Sequence, residues 1–157
     1  MTAPVVDAAA GPERLLHLAF RVGAVADAVM VVPLLLPSAG AAMLGLDGFA
    51  PSREYRYVAG VAAALMAGWT ALLLWGDRDP VARRGVLLLT VVPVLAGLFG
   101  SGVYAVASGM SALRFVLPMF AFQIAVSLLF VVAYRRAGAA ARPADRGGAV
   151  RSQTRSR

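Results

Sequence analysis

Four long apolar stretches occupy most of this 157-residue chain and set the narrowest limit on how it can fold. They cover 15–36, 57–75, 85–107 and 112–134. A bilayer core about 30 Å thick is crossed by about 20 helical residues, so each stretch is long enough to span it. The sequence therefore predicts an all-α integral membrane protein whose four-helix bundle fills 15–136.

The composition indicates the same class. Hydrophobic residues make up 60% of the chain and the mean hydropathy is +0.75, whereas soluble domains contain about 45–50% apolar residues. The absence of cysteine excludes a disulfide framework and a thiolate metal site, and one histidine cannot hold a metal by itself. All fifteen basic residues are arginine, a bias that we interpret as typical of a GC-rich bacterial genome. The expected location is thus the bacterial cytoplasmic (inner) membrane.

The arginines are distributed unequally between the two sides of the predicted bundle. The 76–84 connection and the C-terminal end carry ten of them, whereas the opposite side carries three, Arg53, Arg56 and Arg114. The positive-inside rule places the arginine-rich side in the cytoplasm. Because four crossings return the chain to its starting side, the N-terminal segment 1–14 is also predicted to be cytoplasmic.

The C-terminal segment 137–157 is rich in Ala, Arg, Gly and Ser and has no apolar periodicity, so it is predicted to be a disordered basic tail. Arg135 and Arg136 precede it at the membrane boundary and are expected to bind anionic lipid headgroups. The basic residues flank membrane spans, which explains the sequence pI of 11.2 without a nucleic-acid partner.

Asp27 is the sharpest candidate for function because it lies inside the first apolar stretch. A central intramembrane acid costs about 3 kcal/mol on insertion and is expected to face the bundle interior. On a helix it shares a face with Gly23 and Ala24, which would let another helix approach closely. Gln123 falls at a similar depth in the fourth stretch and is its predicted neighbour. Two interpretations stay open: an acid that fixes helix pairing, or one that handles protons or cations.

Arg21 lies six residues before Asp27, about 120° around the helix, so the two are not a pair. Arg21 shares a face with His17, and its side chain is expected to snorkel to the headgroups or to contact Asp77 or Asp79. An anionic-ligand site is the alternative, and His17 is expected to have a structural or interfacial role. The candidate intramembrane polar site therefore contains His17, Arg21, Asp27 and Gln123.

Small residues recur at four-residue spacing in two of the stretches. Such spacing lets helix backbones approach closely, which is a main route to tight packing in lipid. The contact is predicted either within one chain or between chains. The predicted helix-packing residues are Gly60, Ala64 and Gly68 in the second stretch and Gly97 and Ser101 in the third.

Two prolines predict where helices depart from regular geometry, and one loop is predicted to contain a short helix. Pro33 and Pro93 remove backbone donors within their stretches and are predicted to kink them. A kink near Asp27 either opens a cavity, as in transporter helices, or is ordinary for a membrane helix. The 38–54 loop is predicted to contain a short interfacial helix at 39–46.

Enzyme signatures such as HExxH, a P-loop or a nucleophile elbow are missing from the sequence. No catalytic residue, metal or cofactor is therefore predicted. The leading interpretation is a non-enzymatic membrane subunit or interaction protein, in a homo-oligomer or a larger membrane complex. The alternative is a small transporter or proton/cation pathway centred on Asp27. A membrane enzyme or a quinone or lipid binder is the third interpretation.

Overall fold

The computed structural model describes residues 10–140, which form an all-helical fold with no strand in that range. Its four long helical spans contain 23 to 28 residues each and are apolar enough to cross a membrane. At 1.5 Å per residue they extend about 35–42 Å, more than a hydrocarbon core. The first, second and fourth spans are α1 (Ala10–Leu35), α3 (Arg53–Asp77) and α6 (Leu113–Ala140); the third is Gly85–Ala107.

The helical spans reproduce the predicted stretches and extend beyond some of them. The third span has the predicted bounds, whereas α1 and α3 also include the polar turns that flank their apolar segments. The last helix continues to Ala140, so the first four residues of the predicted tail, 137–140, are helical. The rest of that tail, 141–157, and the first nine residues of the N-terminal segment lie outside the described residues.

The outward surface of the bundle is apolar along the spans. Leu65 of α3 is 71% exposed, Val25 of α1 is 64% exposed and Leu128 of α6 is 61% exposed. Soluble monomers rarely expose so continuous an apolar surface to water. These side chains fit the lipid-facing surface of a membrane protein.

The buried core lies in one half of the bundle, near the Arg-rich end. We define the Arg-rich end as the end where α3 stops at Asp77 and the 78–84 connection begins. α1 is the central helix: it packs most extensively on α3 and also on α6, while the third span packs mainly on α6. The core cluster consists of Leu16, Ala19, Phe20, Ala24, Leu73, Leu87, Val126, Phe130, Ala133 and Ala137.

Glycines let aromatic rings sit directly on neighbouring backbones. A Cβ atom at Gly23 of α1 would lie 2.7 Å from Cζ of Phe130 and 3.2 Å from Cδ1 of Leu73. Gly76 of α3 is similarly covered by the ring of Phe20. Because lipid tails are as apolar as the core, such close van der Waals contacts are a main source of helix association. These two glycines fix the register of α1 against its neighbours.

The third span changes helix type at its middle. It consists of α4 (Gly85–Leu89), a π-helical segment (Thr90–Leu95) and α5 (Ala96–Ala107). Pro93 lies in the π-helical segment, where the Ala96 amide donates to the carbonyl of Val91, five residues back. Proline has no amide hydrogen, so the regular ladder is interrupted there and a wider turn accommodates it. α1, by contrast, continues through Pro33 to Leu35.

At the end opposite the Arg-rich end, a short helix packs beside the turn before α6. This helix, α2 (Pro37–Leu44), corresponds to the predicted 39–46 segment and ends at Gly45, whose φ of 66° is left-handed. Ser111 Oγ donates to the carbonyl of Leu44 at 2.8 Å. The two connections at this end are therefore joined.

Candidate functional site: a charged cluster between the first two spans

Two side chains of α1 converge on one carboxylate at the Arg-rich end. His17 Nδ1 lies 2.5 Å from Asp77 Oδ1, and Arg21 Nε donates to Asp77 Oδ2 at 3.0 Å. His17 and Arg21 are four residues apart and so lie one turn apart on the same helix face. The Asp77 side chain is 17% exposed, whereas that of Arg21 is 67% exposed. Both carboxylate oxygens are thus held, and the cluster joins α1 to α3.

The helix register explains why these residues meet. α1 and α3 are antiparallel, so the first turns of α1 lie beside the last turn of α3. The Phe20 ring packs on Gly76, the residue immediately before Asp77. A carboxylate at a helix C-terminus is unfavourably placed in the helix dipole. Donors from His17 and Arg21 offset that disadvantage.

Arginines of the 78–84 connection also contact neighbouring helices at the Arg-rich end. Arg83 Nη1 donates to the carbonyl of Trp75 at 2.6 Å, and its guanidinium lies 3.7 Å from the centre of the Trp75 ring. A cation there both satisfies a terminal carbonyl of α3 and stacks on an aromatic face. Arg84 lies 5.7 Å from the ring centre of Tyr134 on α6. The 78–84 connection is therefore tied to α3 and α6.

Asp27 and Gln123, the predicted pair, are not joined by a hydrogen bond. Asp27 Oδ2 and Gln123 Oε1 are both buried and have no hydrogen-bond partner within residues 10–140. The predicted proximity of these two side chains stays a prediction, because the structure records no bond between them.

Two apolar clefts flank α6, and the polar residues are divided between them. A cleft of about 570 Å³ between α1 and α6 is lined by Arg21 at one end. A second, of about 390 Å³, lies between the third span and α6 and includes Gln123 and Ser127 in its lining. Asp27 lines neither cleft. The structure thus brings His17 and Arg21 together on Asp77, and no hydrogen bond among the described residues joins them to Asp27 or Gln123.

The predicted helix-packing residues face away from the bundle. Cβ atoms at Gly60, Gly68 and Gly97 would have no atom from other elements within 4 Å in the described part of the chain. Ala64 and Ser101 are exposed too, and Ser101 Oγ donates only to the carbonyl of Gly97, at 3.0 Å, in its own helix. Any close packing at these stripes needs a partner from outside the described residues.

The headgroup candidates Arg135 and Arg136 lie at the Arg-rich end of α6. Both are exposed, and the helix continues past them to Ala140. Their side chains are therefore available to an anionic surface at that level.

The structural role of Asp77 is larger than the sequence predicted. It was predicted only as one of two possible contacts of Arg21, and its bond to His17 was not predicted. A second missed contact lies deeper: Trp69 Nε1 donates to Thr90 Oγ1 at 3.1 Å, which joins α3 to the third span. Thr90 Oγ1 donates in turn to the carbonyl of Val86 at 2.9 Å. The available signal was the position of Asp77 at the membrane boundary that α1 also reaches.

No family model, curated protein or solved structure matches this chain. Within residues 10–140 there is also no group of three or more side chains suited to hold a metal ion.

Proposed function

We propose that this chain is a non-enzymatic subunit of the bacterial inner membrane, with both termini in the cytoplasm, whose intramembrane polar groups fix helix pairing. The observation that carries the proposal is the cluster at Asp77. His17 and Arg21 each bond one oxygen of a carboxylate on the next span. Charges used in this way hold two helices together. They do not line a path from one side of the bundle to the other.

The separation of the remaining polar groups supports the same proposal. Proton and ion pathways are built from polar side chains that succeed one another across the membrane. In residues 10–140, no hydrogen bond connects Asp27 or Gln123 with the cluster at Asp77. Both clefts beside α6 are lined mainly by apolar side chains. A polar group isolated among helices is more readily understood as a packing determinant.

The substitution Asp27→Asn tests this proposal. An amide has nearly the same shape but carries no charge, so a packing role predicts a stability change below about 1 kcal/mol, in line with intramembrane hydrogen bonds of about 0.6 kcal/mol. Thermal stability in detergent and proton and cation flux in proteoliposomes are measured for the wild type and the variant. Asp47→Asn, in the exposed loop before α3, is the control. We expect no flux from any of the three proteins.

The second candidate function is a proton or cation pathway centred on Asp27. It is favoured by one observation: Oδ2 of Asp27 is buried without a hydrogen-bond partner among the described residues. Such a group is unusual unless it has a functional role. A wild-type flux that is lost in Asp27→Asn and kept in Asp47→Asn would establish this pathway and refute the subunit proposal.

The subunit proposal includes self-association through the outward face of α3. Gly60, Ala64 and Gly68 form a stripe that a second copy of α3 can approach closely, since the same face on both chains is self-complementary. Cross-linking of the purified protein in liposomes measures the association. Gly68→Leu places a bulky side chain in the contact and should remove the dimer, whereas Ala125→Leu on exposed α6 surface should keep it. Equal dimer yields from both variants would contradict this contact.

A further inference from the structure

The cleft between α1 and α6 is apolar, and Arg21 lies at its edge. Its volume is about 570 Å³, within the range of ligand-binding clefts. The apolar lining comprises Val22, Val25, Ala26, Val29 and Met30 of α1 and Phe122 of α6. Arg21 lines the end nearest the Arg-rich end and is the one charged residue in the lining.

The sequence of α1 builds this cleft from two adjacent ridges. Residues 21, 25 and 29 form one ridge and residues 22, 26 and 30 form the other, because positions four apart lie above one another on a helix. Nine residues separate the two ends of the cleft, a length of about 14 Å. Val25, Val29 and Phe122 are each more than half exposed, so the cleft is open to the surrounding lipid.

The cluster at Asp77 orients Arg21 without covering it. Only Nε of the guanidinium donates to Asp77, and the side chain remains 67% exposed. A guanidinium has five N–H donors, so its two terminal nitrogens keep their donors for another acceptor. A phosphate oxygen pair matches that planar arrangement. His17, by bonding the other carboxylate oxygen, keeps Asp77 in place.

The charge around this end of the cleft is positive. Arg14 lies two turns before Arg21 on the same face of α1, and Arg135 and Arg136 lie at the corresponding end of α6. These four arginines outweigh Asp77 and Glu13, the acids on the facing turns. An apolar helix seated in the cleft would supply no acceptor for the exposed donors of Arg21. A phospholipid supplies an anionic acceptor at the charged end and an apolar chain for the rest.

We propose that the α1–α6 cleft binds one anionic phospholipid, with its phosphate on Arg21 and one acyl chain along Val25, Val29 and Phe122. The site is distinct from headgroup attraction at Arg135 and Arg136, because it needs a chain-filled cleft as well as a charge. It is also independent of self-association through α3.

Native mass spectrometry of the full-length protein in neutral detergent tests the site. The probes are dioleoylphosphatidylglycerol and dioleoylphosphatidylcholine. We expect the wild type to retain one phosphatidylglycerol at least about tenfold more tightly than phosphatidylcholine. Arg21→Gln should abolish that preference, and Ala26→Trp, which fills the cleft, should weaken phosphatidylglycerol binding about tenfold. Arg53→Gln, at the opposite end, and Ala28→Trp, on exposed α1 surface outside the lining, should leave binding unchanged.

Several results would overturn the site. Equal binding of the two lipids by the wild type, an Arg53→Gln effect as large as that of Arg21→Gln, or unaltered binding by Ala26→Trp each contradicts it. If a variant does not fold, an experiment on the wild type still tests the site. Phosphatidylglycerol with a photoreactive acyl chain should label the peptides that contain residues 22–30 and Phe122. Labelling confined to other peptides would refute the proposed position of the chain.

Discussion

Replacing Gly23 by alanine tests whether ring-on-glycine contacts hold the bundle together. The added Cβ atom would lie 2.7 Å from Cζ of Phe130 and 3.2 Å from Cδ1 of Leu73. Phe130 is 1% exposed and Leu73 is fully buried, so neither side chain has free space into which to move. Overpacking of this kind costs about 1–3 kcal/mol. Alanine recovers about 0.5–1 kcal/mol of helix propensity relative to glycine.

The net expectation is a loss of about 1–2 kcal/mol of unfolding free energy. For a chain of this size, 1 kcal/mol corresponds to roughly 2–4 °C in Tm, so Gly23→Ala should lower Tm by about 2–8 °C. Gly68→Ala is the matched control, because its Cβ atom meets no other element of the described chain. It should leave Tm unchanged or raise it, since only the propensity term remains.

Thermal unfolding in detergent, followed by circular dichroism, measures both variants at one protein concentration. The double variant Gly23→Ala/Phe130→Leu adds a further test, because a smaller side chain at position 130 relieves the overlap. Its loss of stability should be smaller than the sum of the two single losses. The reasoning fails if Gly23→Ala is as stable as Gly68→Ala, or if the two single losses simply add.

Two other predictions concern the charged cluster and the orientation. Asp77→Asn removes the charge that bonds His17 and Arg21 and should cost about 1 kcal/mol in thermal or denaturant unfolding, because the Arg21 side chain is largely exposed to solvent. Asp47→Asn should be neutral, and equal stability of the two variants would show that the cluster does not hold α1 to α3. The orientation is tested with single cysteines introduced at Ser52 and Ser152 of this cysteine-free chain. An impermeant thiol reagent added from the periplasm should label position 52 only. Periplasmic labelling at position 152 would contradict the proposed topology.

The four spans could be predicted from sequence because bilayer thickness sets a length and hydropathy reports it directly. The third span, Gly85–Ala107, was obtained with its observed bounds. Its π-helical middle was not, although Pro93 signalled a missing donor there. A missing donor predicts that the ladder is interrupted. Whether the helix kinks or widens depends on neighbours such as Trp69, which bonds Thr90 at the start of the π-helical segment.

The candidate site was harder to predict because apolar spans carry little information about their rotation. In a soluble helix, the polar face marks the outside, whereas lipid and protein interior are equally apolar here. His17 and Arg21 were placed on one face by their spacing, but their common partner is 60 and 56 residues away. The predicted proximity of Asp27 and Gln123 assumed equal depth. Whether the two side chains meet depends on the rotation of α1 and α6 about their axes, which the hydropathy of the spans does not report.

The glycines differ in whether they contact a neighbouring helix, and their spacing in the sequence does not reveal this difference. Gly23, Gly76 and Gly102 each lie against a phenylalanine of a neighbouring helix, whereas Gly60, Gly68 and Gly97 meet no other element of the described chain. Spacing alone favoured the second group, since these glycines belong to stripes in which small residues recur every four positions. The glycines of the first group are defined by the residue that each one contacts. A phenylalanine ring packs against the helix backbone where the glycine has no side chain. Contacts between a glycine and a phenylalanine therefore mark three places where helices meet in the described chain, and the regular stripe on α3 without such partners is where we propose that a second copy packs.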